Sequence, residues 1–379
     1  MSQPVEGEPR RMKFTASSRY TLGVEVEFQT LDAETLNLAP FAPTLYENAP
    51  PILRPRIAKE LIRSILEIRT GVCFTMDDVE YDLQQTCCLA EELAKDNGAL
   101  LYAASLHPFA RIEDQVLSSD VRYNRIMEEL QLVGRQFISQ GFHVHIGMPD
   151  GDTAVRVWNS IQQYLPIFLA LSASSPYFQG VDTGFMSYRT KLFEMLPLAG
   201  IYNRFTSWND LVAGVDRLKR LGIINELEDL WWDARLNPAF GTLEIRICDL
   251  PGRFNDILGL TAAIQCLGAF LAEQEDVQKP PDNTILQANK WQAARHGLQG
   301  RFIDLSGMIS PGPVGMKQAC TQLLKRIQPY SVRLGCASHL QLVEDILVRD
   351  SVAALQRRIY NREKSFLRVI RALQEEFWK

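Results

Sequence analysis

Three short stretches alternate charged or imidazole side chains with aliphatic ones: Gly-Val-Glu-Val-Glu-Phe at Gly23–Phe28, Phe-His-Val-His-Ile-Gly at Phe142–Gly147, and Gly-Thr-Leu-Glu-Ile-Arg-Ile-Cys-Asp at Gly241–Asp249. In a β-strand, residues i and i+2 point to the same face. The pattern predicts that Glu25 with Glu27, His143 with His145, and Glu244 with Arg246 each line one face. Val24, Val26, Val144, Ile146, Leu243, Ile245 and Ile247 line the other. An apolar back and a front of carboxylates, imidazoles and guanidiniums reads as the floor of an active site that handles metal ions and phosphate.

The rest of the pattern supplies the surroundings. Residues 1–18 are polar and aperiodic and read as a loose arm, with a single domain over 19–379. Tyr20–Thr30 reads as a strand, Leu36–Pro55, with its five prolines, as an irregular loop, and Leu61–Arg69 as an imperfect second strand. Val79, Leu83, Cys87, Ala90 and Ala94 recur at helical spacing and predict a helix over Asp77–Asn97, closed by Gly98. Leu100–Ala104 reads as a strand and Arg122–Gln136 as a helix. A longer helix opens at Asp152 and runs to about Ser172 with a kink or break near Pro166. Ser207 with Asp210 resembles a capping box opening a helix to Leu221. Leu230–Leu236 and Thr242–Cys248 read as paired strands. From 254 onward only helices are expected, over 254–274, 284–296, 312–327 and 339–376, the last broken near Asp350. Strands and helices do not alternate as βαβ units, so the fold class is α+β: an antiparallel sheet with helices on its outer face and a helical C-terminal third.

Composition narrows the function. The chain has 379 residues, of which 46% are hydrophobic and 22% charged, as in ordinary globular proteins. A net charge of −5 provides no global basic field for nucleic acid or an acidic membrane. The seven cysteines are scattered and form no CxxC pair, which argues against a disulfide framework or structural zinc and for a reducing compartment. With a polar N-terminus and no run of eighteen apolar residues, a cytoplasmic location is expected.

The candidate chemistry rests on company. Glu25 and Glu27 alone fit a solvated edge strand. Glu67, in Ile-Leu-Glu-Ile-Arg, and Glu244 add two more carboxylates flanked by aliphatics. Carboxylate oxygens are the ligands that Mg²⁺ and Mn²⁺ prefer, and four converging carboxylates repel unless cations lie between them. Arg235 and Arg246 supply planar forks suited to phosphate, or else pair with a nearby Glu. His143 and His145 could be a hydrolytic metal pair, nucleotide contacts or ordinary strand residues; the zinc reading lacks further ligands in a ligand-like motif. No Walker A motif and no GxGxxG occurs, so any bound ATP would lie on the sheet floor, held by metals and arginines.

These motifs, with His107-Pro108-Phe109, Arg122-Tyr123, the stretch 170–183, Ser187-Tyr188-Arg189, Trp-Trp-Asp-Ala-Arg (231–235) and Asn-Lys-Trp-Gln-Ala-Ala-Arg-His-Gly-Leu (289–298), resemble the type 2 glutamate–cysteine ligase family and its YbdK-like carboxylate–amine ligase branch. The likeness covers about residues 20–340. It implies a glutamine-synthetase-like curved antiparallel sheet forming a funnel. It implies Glu25, Glu27, Glu67 and Glu244 as metal carboxylates for Mg²⁺ or Mn²⁺. His143, His145, Arg235 and Arg246 would face ATP, with Glu27, Arg235 and Arg246 in catalytic positions. Arg189, Asp182 and Thr183 would lie toward the amino-acid end. The implied reaction joins L-glutamate or another carboxylate to an amine through an acyl phosphate, in a homodimer. One departure stands out: the family carries a Glu four residues before Glu67, where this chain has Arg63. Glu60 could substitute if the strand register differs. A related phosphotransferase, or a binder weakened by Arg63, are the alternatives. No Ser or Cys is expected as nucleophile; Cys73 and Cys248 flank matched motifs and are the cysteines to watch.

Overall fold

The computed structural model describes residues 12–274 and 282–379. The charged alternation does build strands. In chain order the elements are β1 (Leu22–Asp32), α1 (Ala42–Asn48), β2 (Ile57–Lys59), β3 (Ile65–Arg69), α2 (Met76–Asp96), β4 (Ala99–Tyr102), α3 (Val121–Leu130), α4 (Leu132–Arg135) and β5 (Phe142–Gly147). Then follow α5 (Gly151–Ile161), α6 (Leu165–Ser172), β6 (Tyr177–Phe178), β7 (Val181–Asp182), α7 (Arg189–Phe193), α8 (Trp208–Arg220), β8 (Ala234–Asn237) and β9 (Thr242–Ile245). The last third holds α9 (Phe254–Glu273), α10 (Asn283–His296), β10 (Arg301–Phe302), β11 (Val314–Gly315), α11 (Met316–Arg333), α12 (Ala337–Arg349), α13 (Val352–Glu363) and α14 (Phe366–Glu376).

One seven-stranded sheet runs β2-β3-β1-β5-β9-β8, with β4 paired to β1 beyond β5, and every pairing is antiparallel. The registers set the front face. Glu27 lies opposite Glu67, Glu25 opposite His143, His145 opposite Glu244, and Glu244 opposite Arg235. The back is the expected apolar one: Val24, Val26, Val144, Ile146, Leu243 and Ile245 are all buried in the main core. Helices α2, α5 and α9 cover it. α9 is long and apolar enough to cross a membrane by composition, but 94% of its apolar window is buried inside the protein. It is the helix around which the core is built.

The departures from the sequence reading have local causes. The proline-rich loop contains α1 and a turn of 3₁₀ helix at Arg54–Arg56, each with proline in its first turn, where the missing N–H costs nothing. The helix expected from Asp152 is two helices. Asp150 caps α5 by accepting from Thr153 N at 2.7 Å, while Asp152 accepts from Trp208 N at 2.8 Å; Pro166 opens α6. Ser207 does cap α8, but Asp210 bonds to Thr206 rather than returning to the cap. Gln131 in a left-handed conformation (φ 48°) ends α3. The C-terminal helix breaks at Asp350, as expected, and again at Lys364, both with positive φ. The hairpins β6–β7 and β10–β11 were not expected. Of the loose arm, residues 1–11 lie outside the described residues, but 12–18 are tied down. Thr15 N donates to Pro238 O at 2.9 Å and Ser17 N to Met148 O at 3.0 Å. Gly241, at φ +65°, lets this segment pass: a Cβ there would meet Thr15 O at 1.8 Å.

Candidate active site

The front of the sheet opens into a cavity of about 250 Å³. Glu25, Glu27, Glu67, His143, His145, Arg235, Glu244 and Arg246 all line it, so eight of the eleven residues picked from the sequence are brought together. The walls come from Tyr123 and Ile126 of α3, with Phe137, Phe193 and Trp231.

Charge is sorted across the floor. Glu244 is 1% exposed and sits between two guanidiniums. Arg235 reaches it through Nε at 3.1 Å and Nη2 at 3.0 Å, and Arg246 pairs with its other oxygen. Burial opposes its charge, but Arg246 and Arg235 outweigh burial and hold its carboxyl well below the usual range. Glu25 accepts at 3.1 Å from His143 Nδ1 and lies 3.3 Å from His145 Nε2. Burial again pulls upward, and the two histidines bring the carboxyl down. His145 is in turn raised: Glu25 and Glu244 overcome the cost of burying the cation. Its Nδ1 meets Thr242 Oγ1 at 2.9 Å.

The other end of the floor has too little positive charge. Glu27, Glu60 and Glu67 each present an oxygen within 4.8 Å of the others. Burial, with Glu27 and Glu25 nearby, pushes Glu60 up to about 8. Burial, with Glu25, Glu60 and Glu27, pushes Glu67 well above its ordinary value. The nearest basic group to Glu67 is Arg69 Nη1, at 3.9 Å and half exposed. Glu27 accepts Gly141 N–H at 2.6 Å. Three clustered carboxylates, with burial and like charge raising Glu60 and Glu67 for want of a counter-charge, fit a hard divalent cation. Glu25, His143 and Glu244 form a second such triad.

Arg63 does not take the place of a carboxylate. It is exposed and lies outside the cavity lining, whereas Glu60 is in it. In one continuous strand, Arg63 would share Glu67's face and Glu60 would not. Instead β2 and β3 form a hairpin with Ala58 opposite Glu67, so Glu60, two residues on from Ala58, shares Glu67's face. The reverse turn closed by Ile65 N and Ile62 O (3.0 Å) removes Arg63 from the row. Arg63→Glu is therefore expected to leave Mg²⁺ affinity and turnover within about twofold of wild type, as for other exposed substitutions, checked by titration and steady-state rates.

Three picked residues are placed elsewhere. Asp182 sits on the β6–β7 hairpin, half exposed, paired with Arg357 of α13 at 2.6 Å. Thr183 Oγ1 donates to Pro176 O at 2.8 Å. Arg189 is buried behind the wall, its guanidinium on main-chain carbonyls. Neither flanking cysteine is a ready nucleophile: burial pushes the Cys73 thiol up to about 11 and the Cys248 thiol to about 12. Tyr123, Phe137, Phe193 and Trp231 carried no sequence signal beyond two short motifs, because a wall is made by tertiary approach.

The profile of glutamate–cysteine ligase family 2 matches residues 21–374. A protein of Gloeobacter violaceus, provisionally assigned as glutamate–cysteine ligase 2, is 36% identical over 366 residues, covering 95% of this chain and 98% of its own. One from Rubrobacter xylanophilus, similarly assigned, is 36% identical over 367 residues, covering 96% and 98%. Among solved structures, the Francisella tularensis glutamate–cysteine ligase in complex with AMP superimposes with a TM-score of 0.68 at 14% identity, covering 96% of this chain and 90% of that one. A bifunctional glutathione synthetase from Pasteurella multocida gives 0.70 at 16%, covering 95% and 52%. At such identities these two speak to the fold, and they bear out the expected glutamine-synthetase-like α+β arrangement. The profile match and the 36% relatives, each over nearly the whole chain, carry the assignment: this chain belongs to glutamate–cysteine ligase family 2.

Proposed function

We propose that the protein is an ATP-dependent carboxylate–amine ligase, with L-glutamate as the carboxylate and an amino acid or other amine as acceptor. The observation that carries this reading is the sorting of the cavity floor. One end has carboxylates short of counter-charge, and the other has two arginines drawn onto one buried carboxylate. Glu27, Glu60 and Glu67 would hold one Mg²⁺ or Mn²⁺, and Glu25, His143 and Glu244 a second. A divalent cation bound there supplies charge neutralisation for the triphosphate. A cytoplasmic homodimer belongs to the same reading.

The substrate carboxylate oxygen attacks the γ-phosphorus, ADP leaves, and an acyl phosphate results. The amine nitrogen then attacks the acyl carbon and phosphate leaves. Arg246 and Arg235, held in place by Glu244, neutralise charge on the transferring phosphoryl oxygens. Tyr123, Phe137, Phe193 and Trp231 screen the acyl phosphate from water, which would hydrolyse it. No protein nucleophile is needed. His145, its pKa raised by Glu25 and Glu244 against the cost of burial, stands 3.3 Å from Glu25.

The test is ADP release from purified protein with Mg-ATP, L-glutamate and pooled amines, each omitted in turn. Release that needs both carboxylate and amine is expected. Release independent of amine would mean a phosphotransferase, and ATP binding with no release a binder; either outcome refutes the reading.

A further inference from the structure

Arg189 is a buried cation that the reaction above leaves without a task. It opens α7 and is 3% exposed. Nη1 donates to Ile247 O and Nη2 to Arg246 O, each at 3.2 Å. The guanidinium lies 4.5 Å from the ring centroid of Phe193, a wall residue. On its other side is Gly141. A Cβ there would come 2.6 Å from Arg189 Nη2 and 2.8 Å from His143 Nε2, and the same glycine's N–H holds Glu27. One side chain thus abuts the main chain of Arg246, the anchor of Glu27 and a cavity wall.

The serine-rich stretch before it supplies a socket. Ser175 Oγ accepts Arg189 N–H at 3.1 Å and donates to Asp249 Oδ2 at 2.7 Å. Asp249 is fully buried and also receives Ser187 Oγ at 2.7 Å and Ser174 N at 2.9 Å. Ser172 Oγ accepts Asp249 N–H at 3.1 Å. The ladder between β8 and β9 ends at Ile245, so the buried main chain beyond it needs other partners. Arg189 and the serines provide them.

We propose that Arg189, seated in the Asp249–serine socket, is a positioning residue: its fork to the carbonyls of Arg246 and Ile247 fixes the Arg246 guanidinium against Glu244. The inference rests on the ligase reading for its kinetic consequence. A lysine in its place keeps the charge but cannot span two carbonyls in one plane.

The experiment compares Arg189→Lys, Arg246→Lys and the double variant. Arg189→Lys is expected to melt within a few degrees of wild type, to lose about 10- to 100-fold in kcat, and to change KM for ATP by less than about threefold. The double variant is expected to be no slower than Arg246→Lys alone, since both act through one group. Losses that multiply, or a wild-type kcat in Arg189→Lys, would overturn the proposal. If Arg189→Lys does not fold, Arg189→Gln, which also loses the two-carbonyl fork, takes its place in the cycle. A crystal structure of the variant gives a reading independent of turnover: Arg246 moved off Glu244 supports the proposal, and Arg246 unmoved overturns it. Wild-type protein that releases no ADP with both substrates overturns the ligase reading alone.

Discussion

Glu244→Gln is expected to lower ATP turnover by about 10²- to 10³-fold, with the protein still folded. The amide keeps the shape of the carboxylate and removes one charge. That charge is what Arg235 and Arg246 are drawn to from opposite sides. Without it, two half-buried guanidiniums face each other across a neutral group. Arg235 already feels this: burial and Arg246 lower its pKa, and Glu244 offsets them. Breaking such a buried pair costs about 3–5 kcal/mol, so the variant should also melt several degrees lower. The catalytic part follows from geometry, because a repelled Arg246 no longer stands where charge develops. Steady-state turnover measured well below the variant's melting temperature separates the two effects. Turnover near wild type would rule out the role given to this carboxylate, whatever the change in stability.

How much of this was legible depended on whether a residue's partner lies along the strand or across space. Glu25, Glu27, His143, His145, Glu244 and Arg246 could be placed on one face because a period of two is a property of the backbone. Their aliphatic alternates were placed on the back for the same reason. Glu60 could be named only conditionally on strand register, because its face is set by the β2–β3 hairpin, and only three residues of β2 pair. Proline marks helix starts here: Pro43 starts a helix inside an expected loop, and Pro166 starts α6 at the expected kink or break. Asp182, Thr183 and Arg189 were picked from motifs that resemble those of the family, yet a motif does not say which way a side chain turns. Asp182 turns to Arg357 on a distant helix, and Arg189 turns to the main chain of Arg246. The C-terminal helices were legible from their periodicity, while the break at Lys364, in a left-handed conformation, had no glycine to announce it.

The carboxylate triad makes a prediction about acidity and cations together. Glu60 and Glu67 are raised in the folded protein, so the folded state holds their protons where the unfolded chain has released them. Stability from these two groups is fully present below about pH 4.5 and is lost as pH rises towards the folded value, about 8 for Glu60. Glu25 and Glu244, lowered by their partners, act in the opposite sense: their contribution is fully present above about pH 4.5 and is lost progressively as pH falls below it. Metal-free protein should therefore lose stability across the window from about pH 4.5 to 8, unlike a protein whose carboxylates are all paired. A divalent cation replaces the protons, so saturating Mg²⁺ or Mn²⁺ should raise the melting temperature more at about pH 8.5 than at about pH 6, where protons compete for the same oxygens. Glu60→Gln separates the causes. It removes one of the like charges, so the metal-free variant should melt higher than wild type at about pH 8.5 and respond less to Mg²⁺. Thermal melts of wild type and variant, with chelator and with Mg²⁺, at the two pH values decide the matter. An Mg²⁺ effect that does not grow with pH, or a Glu60→Gln protein that melts lower than wild type without metal, would mean that these three carboxylates do not share a cation.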